Sequence, residues 1–98
     1  MKVETREGKL VTFDQTRITL TVERALEFMK VPDYKKIAKK LSDQVTKEIK
    51  IKFQDKSPHV EKIQDMIEKT LIKEGHAKIA KVYVVYRERH ENNNKKKR

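Results

Sequence analysis

The chain has 98 residues, which is enough for one small domain and too few for a second core. Charged residues make up 41% and apolar residues 36%, so the core is small, and the absence of cysteine excludes disulfides and thiolate metal sites. The net charge of +10 favours a polyanionic partner, namely a nucleotide, a nucleic acid or an anionic membrane, without choosing among these.

The N-terminal residues predict a β-hairpin. Two short segments with β-branched and apolar residues, Lys2 to Thr5 and Leu10 to Phe13, flank the sequence Arg6-Glu7-Gly8-Lys9. Gly8 can adopt a positive φ at no steric cost, as a tight turn requires. Because an isolated two-stranded hairpin is marginal in water, we expect it to pack on the rest of the domain. Phe13 is the expected apolar anchor between hairpin and bundle.

Two amphipathic helices are predicted next. Asp14 is a typical N-cap for the first helix, which should end before Pro32. A second helix is expected to begin near Asp33, and the segment 51–56 fits either a frayed helix end or a short extended piece. The apolar positions repeat at helical spacing: Ile18, Val22, Ala25, Leu26 and Met29 in the first helix, and Ile37, Leu41, Val45 and Ile49 in the second.

A third helix is predicted to begin at Ser57-Pro58, with the serine as the cap and the proline at the first helical position, and to stop at Gly75. The segment from His76 to about Arg89 is ambiguous, since its β-branched composition is typical of a buried strand. Four of its residues nevertheless share one helical face, which favours a central helix over about 77–86. These four are Ile79, Val82, Tyr83 and Tyr86.

The remaining sequence offers little for catalysis. Only two glycines occur, so no glycine-rich phosphate loop can open a helix, and the three histidines have no metal-ligand spacing. We therefore expect no enzymatic activity and no metal site. The basic segment 91–98, which contains Asn and Lys but no apolar residue, is predicted to be a disordered tail or linker, so the domain is expected to span 1–90.

Two segments of the chain resemble the ATP-cone family. The first resembles the family's opening pattern, V-x-K-R-D-G-x-x-x-x-F-D-x-x-K-I; it runs from Val3-Glu4-Thr5-Arg6-Glu7-Gly8 through Phe13-Asp14-Gln15-Thr16-Arg17-Ile18. Val60-Glu61-Lys62-Ile63-Gln64-Asp65, followed by Gly75-His76 and Ala80-Lys81-Val82-Tyr83 through Tyr86-Arg87-Glu88, resembles V-E-E-I-Q-D and G-H-x-x-V-A-K-A-Y-I-L-Y-R-E. The resemblance spans about residues 3–89.

The resemblance implies an α+β fold: a small bundle of about four helices capped by a small β-sheet that contains the N-terminal hairpin. It implies a regulatory module that binds ATP or dATP beneath the hairpin, with or without Mg²⁺. In this family the domain acts as an allosteric sensor for a ribonucleotide reductase or another attached enzyme, and nucleotide binding changes the oligomeric state.

The nucleotide-binding residues that the resemblance implies lie in three parts of the chain. They are Thr5, Arg6, Glu7 and Gly8 in the hairpin turn, Val11 in the second strand, Arg17 in the first helix, and Arg87 and Arg89 near the end of the last helix. Arginines suit this role because charge-assisted hydrogen bonds to phosphate are strong. Tyr83 and Tyr86 could stack on a base, although their apolar face favours packing in the core.

Two alternative functions remain open at this point. Thr5 stands where the family has a lysine, so the chain could be a structural ATP-cone whose nucleotide site has decayed. The net charge and the basic tail would also suit a nucleic-acid-binding protein. Neither a transmembrane stretch nor a signal peptide is recognisable, so we expect a cytoplasmic protein without membrane association.

Overall fold

The computed structural model describes residues 1–85. Along the chain lie β1 (Lys2–Glu4), β2 (Leu10–Thr12), α1 (Gln15–Phe28), α2 (Tyr34–Phe53), α3 (Val60–Lys73) and a fourth helix, α4, at residues 77–85. Four helices with one antiparallel hairpin confirm the predicted α+β class. Across this part of the chain, no helix is both long and apolar enough to cross a membrane.

Local signals set the ends of α1. Asp14 is the N-cap, because its Oδ1 accepts a hydrogen bond from the backbone N–H of Thr16 at 3.0 Å. At the other end Lys30 adopts φ +57°, and the N–H of Val31 donates to the carbonyl of Leu26 at 3.0 Å. This is a Schellman-type ending, so α1 stops before Pro32 as predicted.

The core lies between the apolar faces of all four helices and is closed on one side by the hairpin. Phe13 packs against it from the hairpin, as expected. The segment 51–56, left open by the sequence, completes α2 as far as Phe53. The buried apolar residues are Val3, Ile18, Val22, Ala25, Leu26, Ala38, Leu41, Val45, Ile49, Ile63, Ile67, Leu71, Ile79, Ala80 and Tyr83.

A polar link joins α1 to α2 inside this core. Ser42 is fully buried, and its Oγ accepts from the hydroxyl of Thr19 at 2.7 Å and donates to the carbonyl of Lys39 at 3.0 Å. Gln15 donates to the same oxygen at 3.3 Å. Because buried polar groups are costly when left without partners, this network fixes how the first turn of α1 sits on α2.

The prediction that α3 begins at Ser57-Pro58 is wrong. The helix begins at Val60, and its N-cap is His59, whose Nδ1 accepts from the N–H of Glu61 at 3.1 Å. Pro58 is instead buried, and its carbonyl accepts from the N–H of Glu4 at 2.9 Å. The start of the helix is displaced because this segment stays extended and pairs with β1 through a parallel bridge between Glu4 and His59.

Gly75 ends α3 as predicted. It adopts φ +86°, and its N–H donates to the carbonyl of Ile72 while that of His76 donates to Leu71 at 2.8 Å. The chain then re-enters a helix, which confirms α4 over residues 77–85 despite the β-branched composition. Tyr83 is 2% exposed and packs in the core, whereas Tyr86 lies outside the described residues.

Candidate functional site

The hairpin turn holds four of the expected site residues, Thr5, Arg6, Glu7 and Gly8, in one hydrogen-bonded loop. The N–H of Gly8 donates to the carbonyl of Thr5 at 3.0 Å, and the N–H of Thr5 donates to Lys9 at 2.8 Å. Gly8 has φ +83°, which is the left-handed conformation that this turn needs. The hydroxyl of Thr5 accepts from the N–H of Lys9 at 3.1 Å, so this side chain stabilises the turn itself.

Arg6 projects from that turn onto the first two turns of α3. Its Nη1 donates to Oε2 of Glu61 at 2.7 Å and its Nη2 donates to Oε1 of Gln64 at 2.8 Å. Glu61 and Gln64 lie one helical turn apart on one face, so the planar guanidinium bonds both at once. The two segments that carry the family resemblance, 55 residues apart at this point, therefore meet through one side chain.

Val11 lies on the face of the hairpin that is directed at the helices. It pairs with Val3 across the two strands, and directly opposed residues share a face. Val3 is 7% exposed and Val11 is 41% exposed, so the bundle covers the inner face of β1 and leaves part of the inner face of β2 open. That open strip lies beside the turn that carries Arg6.

Arg17 lies in the first turn of α1 and is exposed. Its backbone N–H donates to the carbonyl of Asp14 at 3.2 Å, and no hydrogen bond or ion pair in the chain up to residue 85 engages its guanidinium. The structure does not bring Arg17 into contact with Arg6. Arg87 and Arg89 lie outside the described residues, and the expected domain boundary near residue 90 does so as well.

Two depressions in the surface lie away from the hairpin turn. One is lined by Gln15, Thr16, Thr19 and Lys39 where α1 meets α2, and the other lies between α2 and α3. In the first, the ammonium of Lys39 bonds the carboxylate of Asp43 at 2.7 Å and Gln15 adds a hydrogen bond, so the pKa of Asp43 falls below its usual 3.8. None of the expected site residues up to residue 85 lines either depression.

Sequence reasoning did not select Glu61 and Gln64 as site residues. Their spacing of three on a helix was visible in the second matching segment, but which helix face would meet the hairpin depended on the fold. No cluster of three or more His, Asp or Glu side chains suited to a metal ion occurs between residues 1 and 85.

Comparison with protein families decides what this arrangement is. The model of the ATP cone domain matches residues 1–92, which includes both segments joined by Arg6. The chain belongs to the ATP-cone family. ATP-cone domains bind adenine nucleotides and are regulatory rather than catalytic parts of ribonucleotide reductases.

Curated relatives with this ATP-cone sequence are much longer than the chain. The chain is 35% identical over 92 residues to the ribonucleoside-diphosphate reductase subunit alpha of Chlamydia trachomatis, covering 85% of this chain and 9% of that protein. It is 32% identical over 93 residues to the vitamin B12-dependent ribonucleoside-diphosphate reductase of Thermoplasma acidophilum, covering 90% of this chain and 12% of that protein. The chain thus spans about a tenth of these relatives.

Proposed function

We propose that this ATP-cone is an adenine-nucleotide sensor that binds ATP or dATP against the open inner face of the hairpin. The observation that carries the proposal is the position of Arg6. It lies in the hairpin turn, within the first segment that resembles the family, and bonds α3, which begins the second. The planar guanidinium of Arg6 can exchange a carboxylate for a phosphate, because its fork of N–H donors can bond two oxygens of either group.

Arg17 is the second cation of the proposed site. Its guanidinium has no partner within residues 1–85, so it is available to a ligand without first breaking a contact. It also lies in the first turn of a 14-residue helix, where the backbone dipole favours negative charge. We propose that Arg6 and Arg17 bind the β- and γ-phosphates, that Val11 contacts the apolar part of the nucleoside, and that Thr5, Glu7 and Gly8 shape the turn. Arg87 and Arg89 stay predictions from the family pattern.

The proposed ligand brings its own metal. No acidic or histidine cluster in the described part of the chain is suited to hold Mg²⁺, so we propose that the ion enters on the triphosphate. The protein then supplies cations for the phosphates and an apolar contact for the nucleoside.

The proposed output is a change in an attached or associated enzyme. Two relatives are named ribonucleoside-diphosphate reductases, and the chain matches about a tenth of each. We propose that a reductase or another enzyme is the partner, that nucleotide binding changes the oligomeric state, and that the protein works in the cytoplasm. Light scattering of the chain with and without dATP measures the oligomeric step directly.

Calorimetric titration with ATP, dATP and AMP tests the site. Replacing Arg6 or Arg17 with alanine should remove a charge-assisted hydrogen bond of about 2 kcal/mol. ATP affinity should then fall by roughly 30-fold, while AMP, which lacks the outer phosphates, should be affected far less. The matched control is Arg24→Ala, an exposed arginine on α1 about 10 Å further along the same helix.

Two results would overturn the assignment. If Arg24→Ala weakens ATP as much as Arg17→Ala does, the effect is a loss of general positive charge and the site is wrong. If the folded wild-type chain binds no adenine nucleotide at millimolar concentration, the domain is a structural ATP-cone, in accord with Thr5 where the family has a lysine.

A further inference from the structure

Within residues 1–85, positive charge is concentrated on α2. Residues 1–85 carry 19 Lys and Arg against 13 Asp and Glu, a net charge of +6. α2 carries seven lysines against two acidic residues, so this helix alone contributes +5. α1 has two charges of each sign and α3 has three of each sign, so both are neutral. In the described part of the chain, the net positive charge therefore comes mainly from one helix.

Six of the seven lysines of α2 lie on its outer side. At 3.6 residues per turn they fall within an arc of about 140°, and they extend along the helix for about 22 Å. They are all exposed: Lys35, Lys36, Lys39, Lys40, Lys47 and Lys50. We call this set the α2 basic face. One acidic residue, Asp43, lies within it and pairs with Lys39, whereas no ion pair in the described part of the chain engages the other five.

This arrangement is unfavourable for the isolated domain. Two pairs of lysines stand four residues apart on the helix: Lys35 with Lys39, and Lys36 with Lys40. Like charges at this spacing destabilise a helix by about 0.2–0.5 kcal/mol per pair. A glutamate at either position would stabilise the helix through a pair of opposite charges, as at Asp65 and Lys69 in α3. A ligand that neutralises the face would remove this repulsion.

We infer that the α2 basic face binds the phosphate backbone of duplex nucleic acid. The face has no aromatic or large apolar residue, and lysine is depleted at protein–protein interfaces, whereas interfaces with nucleic acid are strongly positive. The face is formed by lysines and not by arginine or amide side chains. Lysine ammonium groups suit contacts to phosphate, and such contacts do not depend on base sequence. The length of the face exceeds the roughly 12 Å width of the major groove, so one helix can meet phosphates on both sides of it.

A membrane surface fits this helix less well. A helix that lies on a bilayer inserts its apolar face between the lipids. In α2 that face, formed by Ala38, Leu41, Val45 and Ile49, is buried in the core of the domain. Adsorption on lipid would leave only the lysine heads in contact, so nucleic acid is the polyanion that the geometry favours.

Fluorescence anisotropy with a labelled 20-base-pair DNA duplex of arbitrary sequence tests the inference, using the full chain at several salt concentrations. The variant Lys36→Gln, Lys40→Gln, Lys47→Gln should weaken binding at low salt by roughly tenfold or more. It should also reduce the slope of log K against log salt by up to about 2.7, since each lost phosphate contact removes about 0.9. Circular dichroism and the melting temperature check that the variant is folded.

The matched control is Lys62→Gln, Lys69→Gln, Lys73→Gln on α3, which removes the same charge from exposed lysines of another helix. It should keep most of the affinity and slope. Equal losses in both variants would show that net charge alone drives binding, and no measurable binding by the wild type would also overturn the inference. If poly-glutamate of matched charge displaces the duplex as well as unlabelled DNA does, the face recognises an acidic protein instead.

Discussion

At the scale of single residues, Arg6 is the most informative side chain in this ATP-cone. It holds the hairpin to α3 through Glu61 and Gln64, yet its side chain is 33% exposed and that of Glu61 is 60% exposed. Exposed ion pairs contribute about 0–1 kcal/mol, and hydrogen bonds to a buried or multiply charged anion contribute more. In the proposed site, a triphosphate therefore competes with Glu61 for Arg6.

Glu61→Gln should raise the affinity for ATP by up to about fivefold, since the competing negative charge is removed and at most about 1 kcal/mol is recovered. Calorimetry on the variant and the wild type measures the change. Glu68→Gln, two turns further along α3, is the control and should leave ATP affinity unchanged. A weaker affinity in Glu61→Gln would show that Glu61 contacts the nucleotide instead of competing with it.

At the scale of secondary-structure elements, the sequence predicts most of the fold. Three helix ends were predicted correctly because the signals are local. Asp14 caps a helix with its side chain, Pro32 blocks the helical conformation before it, and Gly75 adopts a positive φ. The helical face of Ile79, Val82 and Tyr83 likewise outweighed their β propensity, because burial in the core decides.

The start of α3 and the partners of Arg6 could not be predicted in this way. Ser57-Pro58 is a strong local start signal, but its backbone is used to pair with β1, which lies more than 50 residues earlier in the chain. Glu61 and Gln64 are ordinary polar residues of a helix until the hairpin is placed against them. Both cases depend on contacts between distant segments, which a periodic pattern does not contain.

The cap at α3 gives a direct test at this scale. His59→Ala should lower the free energy of unfolding by about 1 kcal/mol, because it removes the acceptor of the Glu61 N–H. Ser57→Ala should change it by less than about 0.5 kcal/mol, since Ser57 is an exposed residue that caps nothing. Urea denaturation of both variants measures the difference. A larger loss in Ser57→Ala would show that α3 begins at Ser57-Pro58 and that His59 is not its cap.

At the scale of the whole molecule, the domain is a helical bundle with two charged surfaces, for which we propose separate tasks. The proposed nucleotide site combines the hairpin with the starts of α1 and α3, and the α2 basic face uses a single helix. Gln15 and Ser42 connect the first turn of α1 with α2. The two proposals rest on different residues, so each can fail without the other.

Nucleotide binding should stabilise the whole domain. At a ligand concentration of 100 times Kd, binding to the folded state adds about 2.7 kcal/mol, which for a domain of this size raises Tm by roughly 10–20 °C. Thermal scans at a fixed ATP concentration should show a much smaller shift for Arg6→Ala and Arg17→Ala, and a wild-type shift for Arg24→Ala. An equal shift with ATP and AMP at the same concentration would contradict the proposed role of the outer phosphates.

The backbone hydrogen bond between Glu4 and Pro58 also bears on the order of folding. The three helices between residues 15 and 73 form through contacts close in sequence, whereas the hairpin needs the extended segment before α3 to be in place. Closing a loop of more than 50 residues costs chain entropy that the short strands recover only after the bundle exists. The hairpin should therefore assemble late, so substitutions in it should change mainly the unfolding rate in stopped-flow experiments.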